Sequence, residues 1–159
     1  MSVESKTIQL LLDQQISVST AESCTGGLLA SRFTSQAGIS QIYQSGLITY
    51  SNEAKIKHLK VSPSSLKRHG AVSRQVCSQM CFNLHKITRS DLTFATTGVA
   101  GPGGGTKSKP VGLVYVGICY QKNIHVAQLS FSSRMTRLQI QKGTVKECFL
   151  MASEIIHGL

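Results

Sequence analysis

A hydroxyl and a thiol stand side by side in the segment TAESCTGG, residues 20–27, which runs from a strand-like stretch into two glycines. Ser23 could attack an electrophilic carbon, and Cys24 is a rival nucleophile because a thiol at a helix amino terminus has a lowered pKa. If a helix begins here, its free backbone N–H groups could stabilise an oxyanion or hold a phosphate. The candidate donors are Cys24, Thr25, Gly26 and Gly27. The alternative is a serine that caps the helix, with glycines for close packing.

A second candidate site is the segment TGVAGPGGGTKSKP, residues 97–110, which follows the apolar stretch 92–96. Residues 101–108 nearly match a P-loop, but Thr106 replaces the second glycine, and Pro110 with a following strand stands where a helix is needed. The same threonine breaks the dinucleotide-binding pattern G-x-G-x-x-G. We therefore exclude nucleotide triphosphate hydrolysis and predict an oxyanion- and phosphate-binding loop, with a flexible surface hairpin as the alternative. Its candidate contacts are Gly98, Ala100, Gly101 and Gly104, with Lys107 and Lys109 as counter-charges.

Three possible metal ligands, Cys77, Cys81 and His85, follow each other at intervals of four residues, which places them on one face of a helix. They share this face with Met80 and Leu84, and cysteine is among the residue types most often buried, so we interpret the group as core. The other histidines form no ligand pattern such as H-E-x-x-H. We predict no metal and no cofactor.

The 159-residue chain is strongly basic, with 17 Lys and Arg against 7 Asp and Glu and a formal net charge of +10. Residues 54–90 contain no carboxylate, so this part could attract a phosphate or a nucleic acid, or could form a solvated face. Aromatic residues make up only 6% and none alternates with basic ones, so we expect no specific nucleic-acid partner. A nucleic-acid-binding module and a non-catalytic nucleotide sensor are the alternatives to an enzyme.

The cysteines and the amino-terminal stretch indicate the compartment. Five cysteines without regular spacing argue against a disulfide framework and favour a reducing environment. The first residues lack the basic start and the cleavage site of a secretory signal, and no apolar run reaches the roughly 20 residues that span a bilayer. We therefore expect a cytoplasmic protein that does not associate with membranes.

The elements that must position these residues alternate along the chain. Apolar periodicity predicts helices at about 5–15, 28–35 and 53–59, another after Ser73, and a last one at 135–156. Strands are expected at 16–20, 41–50 and 92–96, followed by a hairpin of 111–120 and 124–131 that turns at residues 122 and 123. The stretch around Pro63 is interpreted as a loop. This order predicts a single three-layer α/β/α domain with a mixed β-sheet.

Five strings, TAESCTGG, TYSNEAKI, HGAVS, TGVAGPGGG and KPVG, occur in this order, and over residues 5–155 the chain resembles the CinA carboxy-terminal-domain family. The resemblance implies hydrolysis of the carboxamide of nicotinamide mononucleotide, which yields nicotinic acid mononucleotide and ammonia in pyridine nucleotide salvage. Many relatives carry a molybdopterin-binding-like domain before this one, and the chain resembles the stand-alone form without it. A homo-oligomer, with a dimer favoured, is also implied.

The family's catalytic residues map onto these strings. Its serine falls on Ser23 and its lysine on Lys55, so the resemblance implies a serine–lysine hydrolase. Tyr50 and Thr97, within the second and fourth strings, are expected to contact substrate near this pair. Lys55 must be neutral to accept a proton, so burial or a nearby cation, Lys57 or Arg134, must lower its pKa.

One segment departs from the family pattern, which usually shows Gly-Asp-Arg followed by another arginine. Residues 131–137 read FSSRMTR here, without the acidic residue and with altered spacing. Arg134 is expected to take the family arginine's phosphate-binding or active-site role, and Arg137 is the alternative.

Overall fold

Five strands form one mixed sheet in the computed structural model, which describes residues 1–158. They are β1 (Val18–Glu22), β2 (Tyr43–Ile48), β3 (Leu92–Gly98), β4 (Leu113–Tyr120) and β5 (Asn123–Ser130). Their order in the sheet is β2-β1-β3-β4-β5. β1 is parallel to both β2 and β3, and β4 is antiparallel to β3 and β5.

Six α-helices surround the sheet: α1 (Val3–Asp13), α2 (Leu28–Thr34), α3 (Asn52–Leu59), α4 (Pro63–His69), α5 (Arg74–Thr88) and α6 (Arg137–His157). A short 3₁₀ turn, Ile39–Gln41, precedes β2. None of the helices within residues 1–158 combines the length and the apolar character needed to cross a bilayer.

Each face of the sheet carries its own hydrophobic core. Side chains of α1, α2 and α6, such as Phe33 and Phe149, pack with Phe94 of β3 on one face. On the other face, α3, α4 and α5 pack against Ala95 of the same strand and Cys119 of β4. Successive residues of a strand point to opposite faces, and β3 is buried from Leu92 to Thr97 because helices cover both faces of the sheet. The predicted α/β domain with a mixed sheet is confirmed.

The strand connections create a crevice at one edge of the sheet. From β1 the chain moves to β2 on one side, and later returns to β3 on the other side. In open α/β sheets, ligands bind where the connections from neighbouring strands diverge, outside the carboxyl ends of those strands. Glu22 at the end of β1 is in register with Ile48 of β2 and Thr96 of β3, so the segments that follow all three strands emerge together.

Two sequence predictions of local structure were wrong. Residues around Pro63 form helix α4 rather than a loop, because Ser62 caps the helix and proline fits its first turn, where no N–H is needed. The β4–β5 turn is made by Gln121 and Lys122, one residue earlier than predicted. Both residues have positive φ, as the tight two-residue turns of twisted hairpins require.

Gly112 ties the glycine-rich loop to the end of β5 and gives a test of this packing. Its N–H donates to the Val99 carbonyl, its carbonyl accepts from Phe131 N–H, and its φ is +98°. A Cβ at this position would lie 2.2 Å from the Phe131 carbonyl oxygen. We expect Gly112→Ala to destabilise the fold by about 2–4 kcal/mol and to lower Tm by roughly 5–15 °C.

Gly103→Ala is the matched control in the same loop, since a Cβ there meets nothing within 4 Å. Its Tm is expected to stay within about 2 °C of wild type, as for a substitution in open space. Thermal unfolding followed by circular dichroism measures both variants. Equal Tm values would contradict the role of Gly112.

Candidate active site

A cleft of about 290 Å³ lies at the carboxyl ends of β1 and β3 and brings together the two segments singled out from the sequence. Ser23 and Cys24 follow β1, and the glycine-rich loop follows β3. The HGAVS loop between α4 and α5 and the start of α6 close the remaining sides. The lining residues are Ser23, Cys24, Tyr50, Lys55, Ala71, Val72, residues 97–101, Gly103, Gly104 and Arg137.

Ser23 and Lys55 meet inside this cleft although they are 32 residues apart. The Nζ atom of Lys55 lies 3.1 Å from Ser23 Oγ, 2.8 Å from the Thr49 carbonyl oxygen and 3.3 Å from the Tyr50 carbonyl oxygen. Lys55 reaches this position because Ser51 caps α3, which turns the lysine inwards from the first turns of the helix.

The surroundings of Lys55 favour its neutral form. The side chain is only 1% exposed, and burial lowers the pKa of Lys55 below its ordinary value of 10.5. All three hydrogen-bond partners are uncharged. A neutral amine can donate its two N–H bonds to the two carbonyls and use its lone pair to accept the Ser23 hydroxyl proton, so the geometry suits a base. Burial is the cause of the shift, and Lys57 is exposed on the surface of α3.

Cys24 lines the same cleft but is a poor nucleophile in this fold. The residue is 5% exposed, and burial raises the pKa of its thiol to about 12, so the thiolate is scarce at neutral pH. The expectation that a helix terminus would lower this pKa was wrong. The amino-terminal cap of α2 is Gly27, three residues further along the chain, and neither Ser23 nor Cys24 caps the helix.

The amino terminus of α2 is not available to an anion, because the chain's own Glu22 occupies it. The Glu22 carboxylate accepts hydrogen bonds from Leu29 N–H at 2.8 Å and Ala30 N–H at 3.0 Å. Gly26 and Gly27 lie beside a separate surface depression, outside the cleft. Thr25 lines the same depression, so the cleft includes Cys24 but not Thr25, Gly26 or Gly27, which we also predicted as oxyanion contacts.

Free backbone donors remain close to Ser23. Within residues 1–158, the N–H groups of Cys24 and Thr25 donate to no protein acceptor. The same is true of Ala100, Gly101 and Gly104 in the glycine-rich loop, all of which line the cleft. Unpaired N–H groups in a cleft that also holds a nucleophile are suited to binding an oxyanion or a phosphate.

Thr97 and Lys109 were predicted to contact substrate, and both donate hydrogen bonds to backbone carbonyls of the protein. The Thr97 hydroxyl lines the cleft and donates to the Ala71 carbonyl at 2.8 Å, which fastens the HGAVS loop to the end of β3. The Lys109 ammonium donates to the His69 carbonyl at the carboxyl end of α4, where a cation is favourable. Lys109 is therefore outside the cleft lining, and it holds the end of the glycine-rich loop instead.

The structure brings Arg137 rather than Arg134 to the cleft. The Arg137 guanidinium donates to the Gly101 carbonyl at 2.6 Å and to the Tyr50 hydroxyl at 2.8 Å, so it bridges the two sides of the mouth. Arg134 is exposed in the turn before α6 and does not line the cleft. The capping box of Thr136 and Gln139 starts α6 at Arg137, which fixes this side chain at the rim.

The cysteines and the histidine that share one side of α5 lie in or beside the hydrophobic core between α5 and the sheet. Cys77 and Cys81 are fully buried, and the Nδ1 atom of His85 pairs with the Ser90 carbonyl. All five cysteines are free thiols. No group of three or more His, Cys, Asp or Glu suited to a metal ion occurs within residues 1–158.

The family model described as the CinA C-terminal domain matches residues 1–156. The chain belongs to the CinA family. A competence-damage inducible protein of Caldanaerobacter subterraneus is 45% identical over 156 residues, which cover 98% of this chain and 37% of that protein. One from Clostridium novyi is 52% identical over 121 residues, 76% of this chain and 29% of that protein. The chain thus spans about a third of the length of the curated relatives it matches.

Solved CinA structures share the whole fold. The competence/damage inducible protein CihA from Agrobacterium tumefaciens superposes with a TM-score of 0.90 at 37% identity, covering 94% of this chain and 90% of that one. A CinA superfamily protein from Klebsiella pneumoniae superposes with a TM-score of 0.92 at 28% identity, covering 98% and 96%.

Three residues that shape the site of this CinA domain were not singled out from the sequence, two in the cleft lining and one beside it. Ala71 and Val72 form one wall, and the HGAVS string could have indicated them only through its place in the family pattern. Glu22 lies outside the cleft, and its carboxylate bonds within the turn that carries Ser23. The available signal was an acidic residue directly before the candidate nucleophile, because a carboxylate that becomes buried there needs partners.

Proposed function

We propose that this chain is an amidohydrolase that converts nicotinamide mononucleotide into nicotinic acid mononucleotide and ammonia, with Ser23 as nucleophile and Lys55 as base. The observation that carries the proposal is the 3.1 Å approach of the buried Lys55 amine to Ser23 Oγ in a cleft with free backbone donors. Family membership supports the choice of substrate through the resemblance of its motifs.

The acylation step follows from the arrangement of the pair. Lys55 Nζ takes the hydroxyl proton while Ser23 Oγ bonds to the carboxamide carbon, and the carbonyl oxygen becomes an oxyanion. The free N–H group of Cys24, which lines the cleft next to Ser23, is a candidate to stabilise it. The carbon–nitrogen bond then breaks, and the Lys55 ammonium gives its proton to the leaving amide nitrogen, which departs as ammonia.

Deacylation uses the same groups in the same order. Lys55, neutral again, takes a proton from water as the water oxygen attacks the ester carbon. The bond to Ser23 Oγ breaks, the serine recovers its proton from Lys55, and the carboxylic acid product loses its remaining proton to water and leaves as the carboxylate. A single base therefore serves both half-reactions: the first ends with neutral Lys55 and acylated Ser23, and the second restores neutral Lys55 and the Ser23 hydroxyl.

The substrate phosphate is assigned to the mouth of the cleft. Arg137 is the cation there, and the unpaired amides of Gly101 and Gly104 lie on the same side. Arginine pairs with phosphate through two parallel N–H donors, which the present bonds to Gly101 and Tyr50 would exchange for phosphate oxygens. The net charge of +10 favours the approach of a phosphate ester.

Arg137→Ala is expected to raise KM for nicotinamide mononucleotide about 10- to 100-fold, since a hydrogen bond to a charged group contributes roughly 1.5–3 kcal/mol. The exposed Arg134→Ala is the control, with a KM expected within about twofold of wild type because surface contacts contribute little. Steady-state kinetics measures both. A larger KM effect from Arg134→Ala would transfer the phosphate role to that residue.

The proposal is tested by turnover of purified protein on nicotinamide mononucleotide, with ammonia measured by a coupled assay and the product identified by chromatography. Nicotinamide riboside, which lacks the phosphate, is expected to be a far weaker substrate. Binding of the mononucleotide without release of ammonia would favour a non-catalytic nucleotide sensor.

A further inference from the structure

Glu22 is a buried carboxylate that the mechanism above does not use. It ends β1 directly before Ser23 and is 1% exposed. Its carboxylate accepts the Thr25 hydroxyl at 2.6 Å in addition to the N–H groups of Leu29 and Ala30. A buried charge needs hydrogen-bond partners to offset its lost hydration, and the turn and the start of α2 supply three to Glu22.

The same turn is held from the two neighbouring strands. Ser23 N–H donates to the Thr96 carbonyl at 3.0 Å, and Thr25 Oγ1 lies 2.8 Å from Thr96 Oγ1. On the other side, Thr49 N–H donates to the Glu22 carbonyl at 2.9 Å, and the Thr49 carbonyl accepts from Lys55 Nζ at 2.8 Å. The backbone of Glu22 is therefore linked to Lys55 through Thr49 and to Ser23 through the peptide bond that joins them.

We propose that Glu22 is the positioning residue of the Ser23–Lys55 pair, and this inference rests on the proposed function. Through its carboxylate it fastens the first turn of α2 to Thr25 and thereby fixes where Ser23 Oγ stands relative to Lys55 Nζ. The competing explanation is a helix cap, which stabilises α2 by placing a negative charge at its amino terminus and does nothing for the reaction. The two explanations differ in their effect on the reactivity of Ser23.

Glu22→Gln separates them because it keeps the size of the side chain, removes its charge and turns one acceptor into a donor. A displacement of about 1 Å at a nucleophile can reduce the rate about 100-fold. We expect kcat to fall roughly 10- to 100-fold, with KM within about twofold of wild type because the phosphate contacts lie elsewhere. The rate at which a fluorophosphonate labels Ser23 should fall by a similar factor.

Ser19→Ala is the matched control on the same strand. Ser19 is fully buried and shares a 2.6 Å hydrogen bond with Ser90, away from the cleft. It is expected to lower Tm while leaving kcat and the labelling rate within about twofold of wild type. If Glu22→Gln lowers Tm but matches Ser19→Ala in kcat and labelling rate, Glu22 is only a helix cap and the inference is overturned.

Thr25→Val keeps the test decisive if Glu22→Gln does not fold. It removes the hydroxyl that donates to the Glu22 carboxylate and leaves the carboxylate with its bonds to Leu29 and Ala30, so the labelling rate should fall at least about threefold. An unchanged rate would overturn the inference.

Wild-type protein that is labelled at Ser23 but does not hydrolyse nicotinamide mononucleotide would refute the proposed substrate alone. Wild type that resists labelling would refute both.

Discussion

Ser23→Ala is expected to lower kcat on nicotinamide mononucleotide by at least about a thousandfold, because it removes the atom that forms the acyl-enzyme. The fold should survive, since Ser23 is only partly buried and its backbone bond to Thr96 does not involve the side chain. Ammonia release by the purified variant, measured alongside its Tm, gives the result. Intact-mass analysis of rapidly quenched wild type should show the nicotinoyl-nucleotide adduct that Ser23→Ala lacks.

Cys24→Ala is the control for this prediction, since it removes the neighbouring thiol from the same cleft. Its kcat is expected within about tenfold of wild type, because a thiol with a pKa of about 12 supplies little thiolate. A small loss would reflect the cavity left by a buried side chain. An inactive Cys24→Ala together with an active Ser23→Ala would reverse the assignment of the nucleophile.

The sequence predicted the site best where chemistry and secondary structure coincide. Ser23 and the glycine-rich loop each follow a stretch with a strand pattern, and carboxyl ends of neighbouring parallel strands meet at one edge of a sheet. Pairing Ser23 with Lys55 needed the family resemblance, because 32 residues of chain separate them and spacing gives no contact at that range. Helix α4 was missed since proline was interpreted only as a loop signal.

Other features depend on geometry that a pattern does not contain. The sequence offered both Arg134 and Arg137 near the last strand, and the choice was made by the capping box that starts α6 at Arg137. Likewise, glycines after Ser23 suggested free helix amides, whereas Glu22 folds back onto Leu29 and Ala30, seven and eight residues ahead. Such choices come from tertiary packing, which decides among several locally acceptable arrangements.

Lys55→Arg is expected to lower kcat by about a thousandfold, within the range that general acid–base catalysis contributes. Arginine keeps the positive charge but stays protonated in proteins, so it cannot accept the Ser23 proton. If Lys55 served only as a positive charge, the variant would keep most of its activity. Lys57→Arg, on the exposed face of the same helix, is the matched control and should change kcat by less than about twofold.

The pH dependence tests the same base in the unaltered protein. Below the pKa of Lys55 the amine is protonated and cannot act, so kcat/KM should rise with pH through that pKa and level off above it. Because burial lowers this pKa, the midpoint of the rise should lie below the ordinary lysine value of 10.5. The substrate phosphate also titrates, near pH 6, and would add a second pH-dependent change to kcat/KM.

The rate of fluorophosphonate labelling at Ser23 does not depend on the substrate phosphate, so its pH profile reports Lys55 directly. A labelling rate that is flat from about pH 6 to 9, or an active Lys55→Arg, would show that another group deprotonates Ser23 and that Lys55 acts through its charge alone.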